Sequence, residues 1–180
     1  MKETVDICRI IFRGEKVEYQ GKIFQLPMPN SEGKAIRIVH KPTDIPIYLA
    51  TLGPKSLEYT GEVANGWMGT SFSPDHPEAH FDFLQRGAEK ANRSLEDLNL
   101  CVSTRIEIGD DVDAMIEKRK PAVAFNMGGM GSGTTNFYND AFKRAGYEED
   151  AVAIQTLWLA GKRKEAAKRV PDAMVTAFQA

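Results

Sequence analysis

The residues best suited to chemistry are Thr51, Leu52, Gly53 and Pro54, which follow an apolar run and precede a helical pattern. Gly53 allows a ligand to come close to the backbone, and Pro54 suits the first position of a helix. A helix start offers unpaired N–H groups and a partial positive charge, which together favour a phosphate. The same four residues also make an ordinary strand-to-helix turn. Gly69, Thr70 and Ser71 close the next apolar run and could present hydroxyl and N–H groups to the same ligand.

Other clusters carry weaker signals. His76 and His80 stand four apart with Asp75 and Glu78 nearby, a spacing that could place metal ligands on one helix face. Pro77 puts them at a ragged helix start, and no further His or Cys cluster completes a site, so no metal is expected. Gly128 to Gly133 is glycine-rich but lacks the Lys-Ser/Thr ending of a phosphate loop, and reads as a mobile surface connection. Lys162-Arg163-Lys164 and Lys168-Arg169 read as a solvated helix face near a C-terminal end, with phosphate binding as the alternative. Arg105 could point inward as an anion ligand, although an outward or paired arginine fits as well. None of the three histidines lies near a Ser or Cys nucleophile in sequence, so hydrolase chemistry is unsupported and no catalytic residue is assigned.

The elements that must hold these residues follow from periodicity. Ile45 to Ala50 is almost continuously apolar, as for a parallel strand covered on both faces. Ser56 to Ala64 is the following helix and Trp67 to Thr70 the next strand. Ser73 opens a helix through about Ala91, with Phe81, Phe83, Leu84 and Ala88 on its apolar side. Ser94 and Asp97 form a cap, and Leu98 to Ile108 is a third long strand. Asp110, Asp111 and Asp113 start a helix where its dipole favours acids. Pro121 to Met127 fits strand or helix; Phe137 to Ala145 and Asp150 to Ala160 are helical, the second stopped by Gly161. Lys162 to Arg169 is a helical turn, and another helix spans Asp172 to Ala180. Upstream, Glu3 to Phe12 is an apolar helix stopped at Gly14, and Val17 to Leu26 a small hairpin turning at Gln20-Gly21-Lys22. Pro27 to Asp44 is a loop-rich excursion containing a candidate strand, Ala35 to Val39.

Composition limits the partners. The 180 residues are 42% hydrophobic and 27% charged with a net charge of -2, an ordinary globular balance without the basic surface that nucleic acid or anionic membrane would need. No apolar run approaches the roughly 20 residues that span a bilayer. The charged N-terminus is unlike a signal peptide. Cys8 and Cys101 both sit in apolar patterns, as two buried thiols in a reducing cytoplasm would. A cytoplasmic protein is the expectation.

Several stretches together carry a family resemblance. Glu3-Thr4-Val5, Gly14 to Val17 and Tyr19 to Phe24 resemble the middle of luciferase-like oxidoreductases and monooxygenases. Ile45 to Pro54 with Gly61 to Trp67 is the strongest part of the likeness. Asn126 to Gly131, Asn136 to Tyr138 and Ala160 to Arg163 also resemble the deazaflavin-using, methylenetetrahydromethanopterin reductase branch. The resemblance implies an α/β protein: part of a TIM (β/α)8 barrel, about barrel strands 5 to 7, with a helical insertion. Within one domain, 1–44 would be the helix, hairpin and excursion, 45–120 the βα units and 121–180 the insertion. The first half and eighth strand of the barrel would lack counterparts, in keeping with the size of a full barrel, typically about 250 residues.

The resemblance also implies an oxidoreductase that passes hydride between coenzyme F420 and a small organic substrate, or one using FMN. Ala50, Thr51, Leu52, Gly53 and Pro54 would contact the cofactor, with Gly69 and Thr70 as a second contact region. The alternative is a catalytically incomplete half-barrel acting as a structural module. Its open edges and apolar interior would favour self-association as a homodimer.

Overall fold

The computed structural model describes residues 1–178 and separates into two compact units, Met1–Ile47 and a second from Tyr48 onward. In the first, α1 (Lys2–Phe12) buries Val5 and ends at Gly14, whose φ of +68° is the left-handed geometry that glycine supplies without strain. A hairpin follows, with β1 (Tyr19–Gln20) antiparallel to β2 (Gln25–Leu26). Its turn is clamped from α1. The Glu3 carboxylate accepts the N–H groups of Lys22, Ile23 and Phe24 at 2.8, 3.0 and 2.8 Å, which hold its pKa below the usual carboxylate value. A Cβ on Gly21 would strike that carboxylate and displace it from the clamp. The strand expected over Ala35–Val39 does not form. The Ile36 carbonyl accepts Val17 N–H at 2.8 Å, and among the described residues the segment has no strand partner.

The second unit opens on a three-stranded parallel sheet ordered β3 (Tyr48–Leu49), β4 (Gly66–Gly69), β5 (Asn99–Val102). Helices α2 (Pro54–Val63) and α3 (Glu78–Lys90) follow β3 and β4, as the strand–loop–helix pattern predicts. Leu57, Trp67, Leu84, Ala88 and Leu98 form the core beneath them. The two helices meet through glycine. A Cβ on Gly61 would collide with the Leu84 carbonyl, and one on Gly87 with the Glu58 carbonyl. Ser94 and Asp97 make the expected capping box ahead of β5.

Three expectations about the sheet are corrected. The first and third strands are short, Tyr48–Leu49 and Asn99–Val102 rather than Ile45–Ala50 and Leu98–Ile108. A strand continues only while a neighbour pairs with it, and β4 matches β5 only from Gly66 against Asn99 to Gly69 against Val102. The sheet is also covered on one face only. In this register Tyr48, Gly66, Met68, Asn99 and Cys101 share the other face, where Met68 and Cys101 are exposed. There Asn99 Nδ2 donates to the Tyr48 hydroxyl at 2.6 Å across Gly66, where a Cβ would meet the Tyr48 ring. The thiols are not both buried either: Cys8 is half-buried and Cys101 exposed.

The rest of the unit is helical: α4 (Val112–Gly129), α5 (Phe137–Phe142), α6 (Glu148–Leu159), α7 (Arg163–Lys168) and α8 (Asp172–Ala177). The helix expected over Asp172–Ala180 is thus seen to Ala177, and residues 179 and 180 lie outside the described residues. Asp111 caps α4 by accepting Ala114 N–H at 3.0 Å. Pro121 to Met127 is helix, its Val123, Ala124 and Met127 packed with Phe142, Ile154 and Met174. Gly128 and Gly129 belong to α4, with Gly128 buried against Trp158, so only the following residues form the expected surface connection. Asn136 caps α5 through its Oδ1, while Asn139 Nδ2 donates to the Met127 and Ala151 carbonyls and ties α4 to α6.

Candidate functional site

The residues singled out between β3 and α2 form a tightly braced loop. Thr51 is buried, and its hydroxyl lies 2.8 Å from that of Thr60, which also donates to the Ser56 carbonyl at 2.8 Å. The Thr51 carbonyl accepts the Trp67 indole N–H at 2.9 Å. The Leu52 carbonyl accepts Arg144 Nη2 at 3.0 Å, and the Gly53 carbonyl accepts the Ser56 hydroxyl at 2.8 Å. Gly53 is the N-cap of α2 and Pro54 its first residue, as the sequence predicts.

Beside this helix start lies an open cleft of about 390 Å³, lined by Gly53, Pro54, Lys55, Ser56 and Phe137, with an almost wholly apolar surface. Phe137, half exposed at the start of α5, is its wall. A Cβ on Gly53 would stand 3.1 Å from the Phe137 ring, so glycine keeps that floor open. Gly69 ends β4, which is paired in parallel with β3, so Gly69 and Thr70 follow at the same sheet edge as the loop. Gly69 is buried under the Trp67 ring and Thr70 is exposed. The structure therefore gathers both predicted contact regions at the C-terminal ends of the strands. A second cleft of about 150 Å³ follows β4 and β5, lined by Phe72, Asp75, Val102, Ser103 and Phe178 among others.

Sequence reading missed Phe137, Arg144 and the structural task of Trp67. The strand position of Trp67 signalled burial, but nothing local showed where its indole N–H would donate. Phe137 and Arg144 lie more than eighty residues from the loop in sequence, and no spacing rule reaches that far.

The remaining candidates separate. His80 is 1% exposed, its ring 5.3 Å from that of Trp67, and among the described residues neither ring nitrogen has a hydrogen-bond partner. Burial, reinforced by the Arg144 charge, pushes its pKa from 6.5 down to about 4. His76 lies at the surface 3.4 Å from Glu78, and among the described residues no group of three His, Cys, Asp or Glu side chains could hold a metal ion. Arg105 is exposed, lies beyond β5 and stands 3.9 Å from Glu107. Lys162 pairs with Glu165 and Arg169 with Asp150, and the Arg163 guanidinium lies over the Trp158 ring.

His80 makes acid sensitivity testable. The unfolded chain binds a proton near pH 6.5 that the folded chain refuses until about pH 4, so stability contributed by neutral His80 is present above 6.5 and lost as pH falls towards 4. The loss amounts to roughly 3 kcal/mol at the lower end. Urea unfolding of the wild type and His80→Leu between pH 7 and 4.5 should show the variant losing distinctly less. Parallel curves for the two proteins would rule out His80 as the source.

The luciferase-like monooxygenase family model matches residues 1–180. A Mycobacterium tuberculosis protein named as a coenzyme F420-dependent oxidoreductase is 33% identical over 97% of this chain and 53% of its own length. The 5,10-methylenetetrahydromethanopterin reductase of Archaeoglobus fulgidus is 28% identical over 99% of this chain and 51% of its own. The structure of the coenzyme F420-dependent tetrahydromethanopterin reductase of Methanopyrus kandleri superposes with a TM-score of 0.71 at 28% identity, covering 99% of this chain and 48% of that one. The chain thus spans about half the length of the relatives it matches. No described helix is long and apolar enough to cross a membrane. With the family model matched from end to end, the chain belongs to the luciferase-like monooxygenase family.

Proposed function

We infer that the chain is part of a coenzyme F420-dependent oxidoreductase, with Ala50 to Pro54 as its coenzyme-contact loop and Gly69 and Thr70 as a second contact. The observation that carries this reading is the loop itself, fixed by hydrogen bonds with Trp67, Thr60 and Arg144 and opening at Gly53 into a walled cleft. Relatives named for F420 support that coenzyme over FMN. In such enzymes the bound deazaflavin supplies hydride chemistry towards a small organic substrate. The tasks open to this chain's own residues are narrower. The start of α2 offers the positive end of its helix dipole, Gly53 keeps the floor low, and Phe137 and Pro54 shield one side from water. The three strands of the second unit are read as about the fifth to seventh of a barrel.

The test is a fluorescence titration of the chain with F420 and with FMN. F420 should bind with a Kd below about 100 μM, and Gly53→Val, whose side chain would fill the floor beside Phe137, should weaken binding at least tenfold, or about 1.4 kcal/mol. A second reading, a self-associating half-barrel, draws on the exposed sheet face with Met68 and Cys101 and on the exposed Val102 at the end of β5. Failure of both coenzymes to bind, with a dimeric mass by light scattering, would favour that reading instead.

A further inference from the structure

We propose that Arg144 is a positioning residue for the coenzyme-contact loop, its guanidinium holding the Leu52 carbonyl and the first turn of α3 together. The helical half of the unit would thereby set the shape of the loop between β3 and α2. What the loop binds rests on the F420 reading above; what Arg144 does to the loop rests on geometry.

Arg144 stands just after α5, where the helical path breaks at Ala145 and at Gly146, whose φ is +85°. Such a φ favours glycine, and the break comes directly after the residue whose side chain must turn back towards the βα units. From there Nε donates to the Ala79 carbonyl at 2.9 Å and Nη2 to the Leu52 carbonyl at 3.0 Å. The guanidinium carbon lies 5.5 Å from the centre of the Phe83 ring. Two acceptors from different elements, met by two nitrogens of one planar group, is a demand that arginine satisfies and lysine does not.

The charge adds a second argument. Arg144 is half-buried, and loss of water lowers its pKa from the usual value, an effect that the Asp140 charge only partly offsets. Among the described residues no carboxylate lies within ion-pairing distance of it. A cation kept partly out of water, with two carbonyls as its direct partners and Asp140 acting only from beyond ion-pairing distance, is costly to hold. What it secures in return is the carbonyl next to Gly53, in a loop whose Leu52 carbonyl belongs to neither a helix nor the sheet ladder. The apolar cluster of the βα units and that of the helical half are distinct, so a directed polar bond between them has more to fix than one within a single core.

Arg144→Lys and Arg144→Met separate charge from geometry. Backbone amide exchange, followed by mass spectrometry on the full chain, should rise roughly tenfold over Leu52 to Leu57 in both variants. Peptides covering Val123 to Met127 and Ala151 to Ile154 should exchange as in the wild type, which a general loss of stability would not allow. The F420 Kd, from the same fluorescence titration, should rise by a similar factor in both. Unchanged loop exchange in the two variants overturns the proposal, as does a lysine variant that matches the wild type in loop exchange and Kd, since charge alone would then suffice. If the wild type binds no F420 while loop exchange still rises, the coenzyme reading fails and the positioning role stands. If the methionine variant does not fold, the lysine variant, which keeps the aliphatic stem, decides the matter.

Discussion

Valine in place of Gly87 is expected to cost the second unit about 3 kcal/mol, the upper end of the usual cost of overpacking, because the added atoms meet backbone and not a side chain that can move aside. Gly87 faces the Glu58 carbonyl in α2, and Gly61 returns the contact to the Leu84 carbonyl in α3. Side chains at either point would push the helices apart and open the core of Leu57, Trp67, Leu84 and Ala88. The effect should reach the site, since Gly53 caps α2 and any shift of its axis carries the loop with it. The check is the urea midpoint together with the F420 Kd. Alanine at Gly87 should fall between wild type and valine. A valine variant as stable as the wild type would mean that the helices separate without loss, contrary to the close packing described.

Trp67→Ala should be comparably severe. Trp67 is fully buried, with Phe72 and Phe81 edge-on at 6.1 and 6.2 Å and His80 at 5.3 Å. Emptying that volume costs about 3–5 kcal/mol, a large share of the stability of a domain this size. Trp67→Phe is the more informative variant. It keeps most of the packing but deprives the Thr51 carbonyl of its indole donor, a buried acceptor whose desertion costs about 1–3 kcal/mol. The phenylalanine variant should stay folded, show faster amide exchange around Thr51 to Gly53, and bind F420 more weakly. Wild-type exchange in the loop would show that the indole bond does not brace it.

Much of the local structure was legible in the residues because its causes are local. The Ser94 and Asp97 box, the Asp111 cap and the turns at Gly14 and Gly161 each rest on bonds or backbone angles within a few residues. Pro54 at the start of α2 belongs with them. The family was legible too, through motifs spread along the whole chain. Strand lengths were not. Ile106 and Ile108 have the β-branched character of a strand, yet they are 71% and 95% exposed because no neighbour extends past Gly69 to pair with them.

The sequence by itself determined the order of strand, loop, helix and strand, the place of Gly53 and Pro54 at a helix start, and the membership in a family. Those follow from periodicity, caps and motif, which act over a turn or two of chain. Only the tertiary structure decided which sheet face lies bare, that Trp67 braces Thr51, and that Phe137 and Arg144 return from the helical half to wall and hold the loop. Those depend on packing between segments that lie from 16 to 92 residues apart, where a side chain's partner is set by the fold and not by its neighbours in sequence.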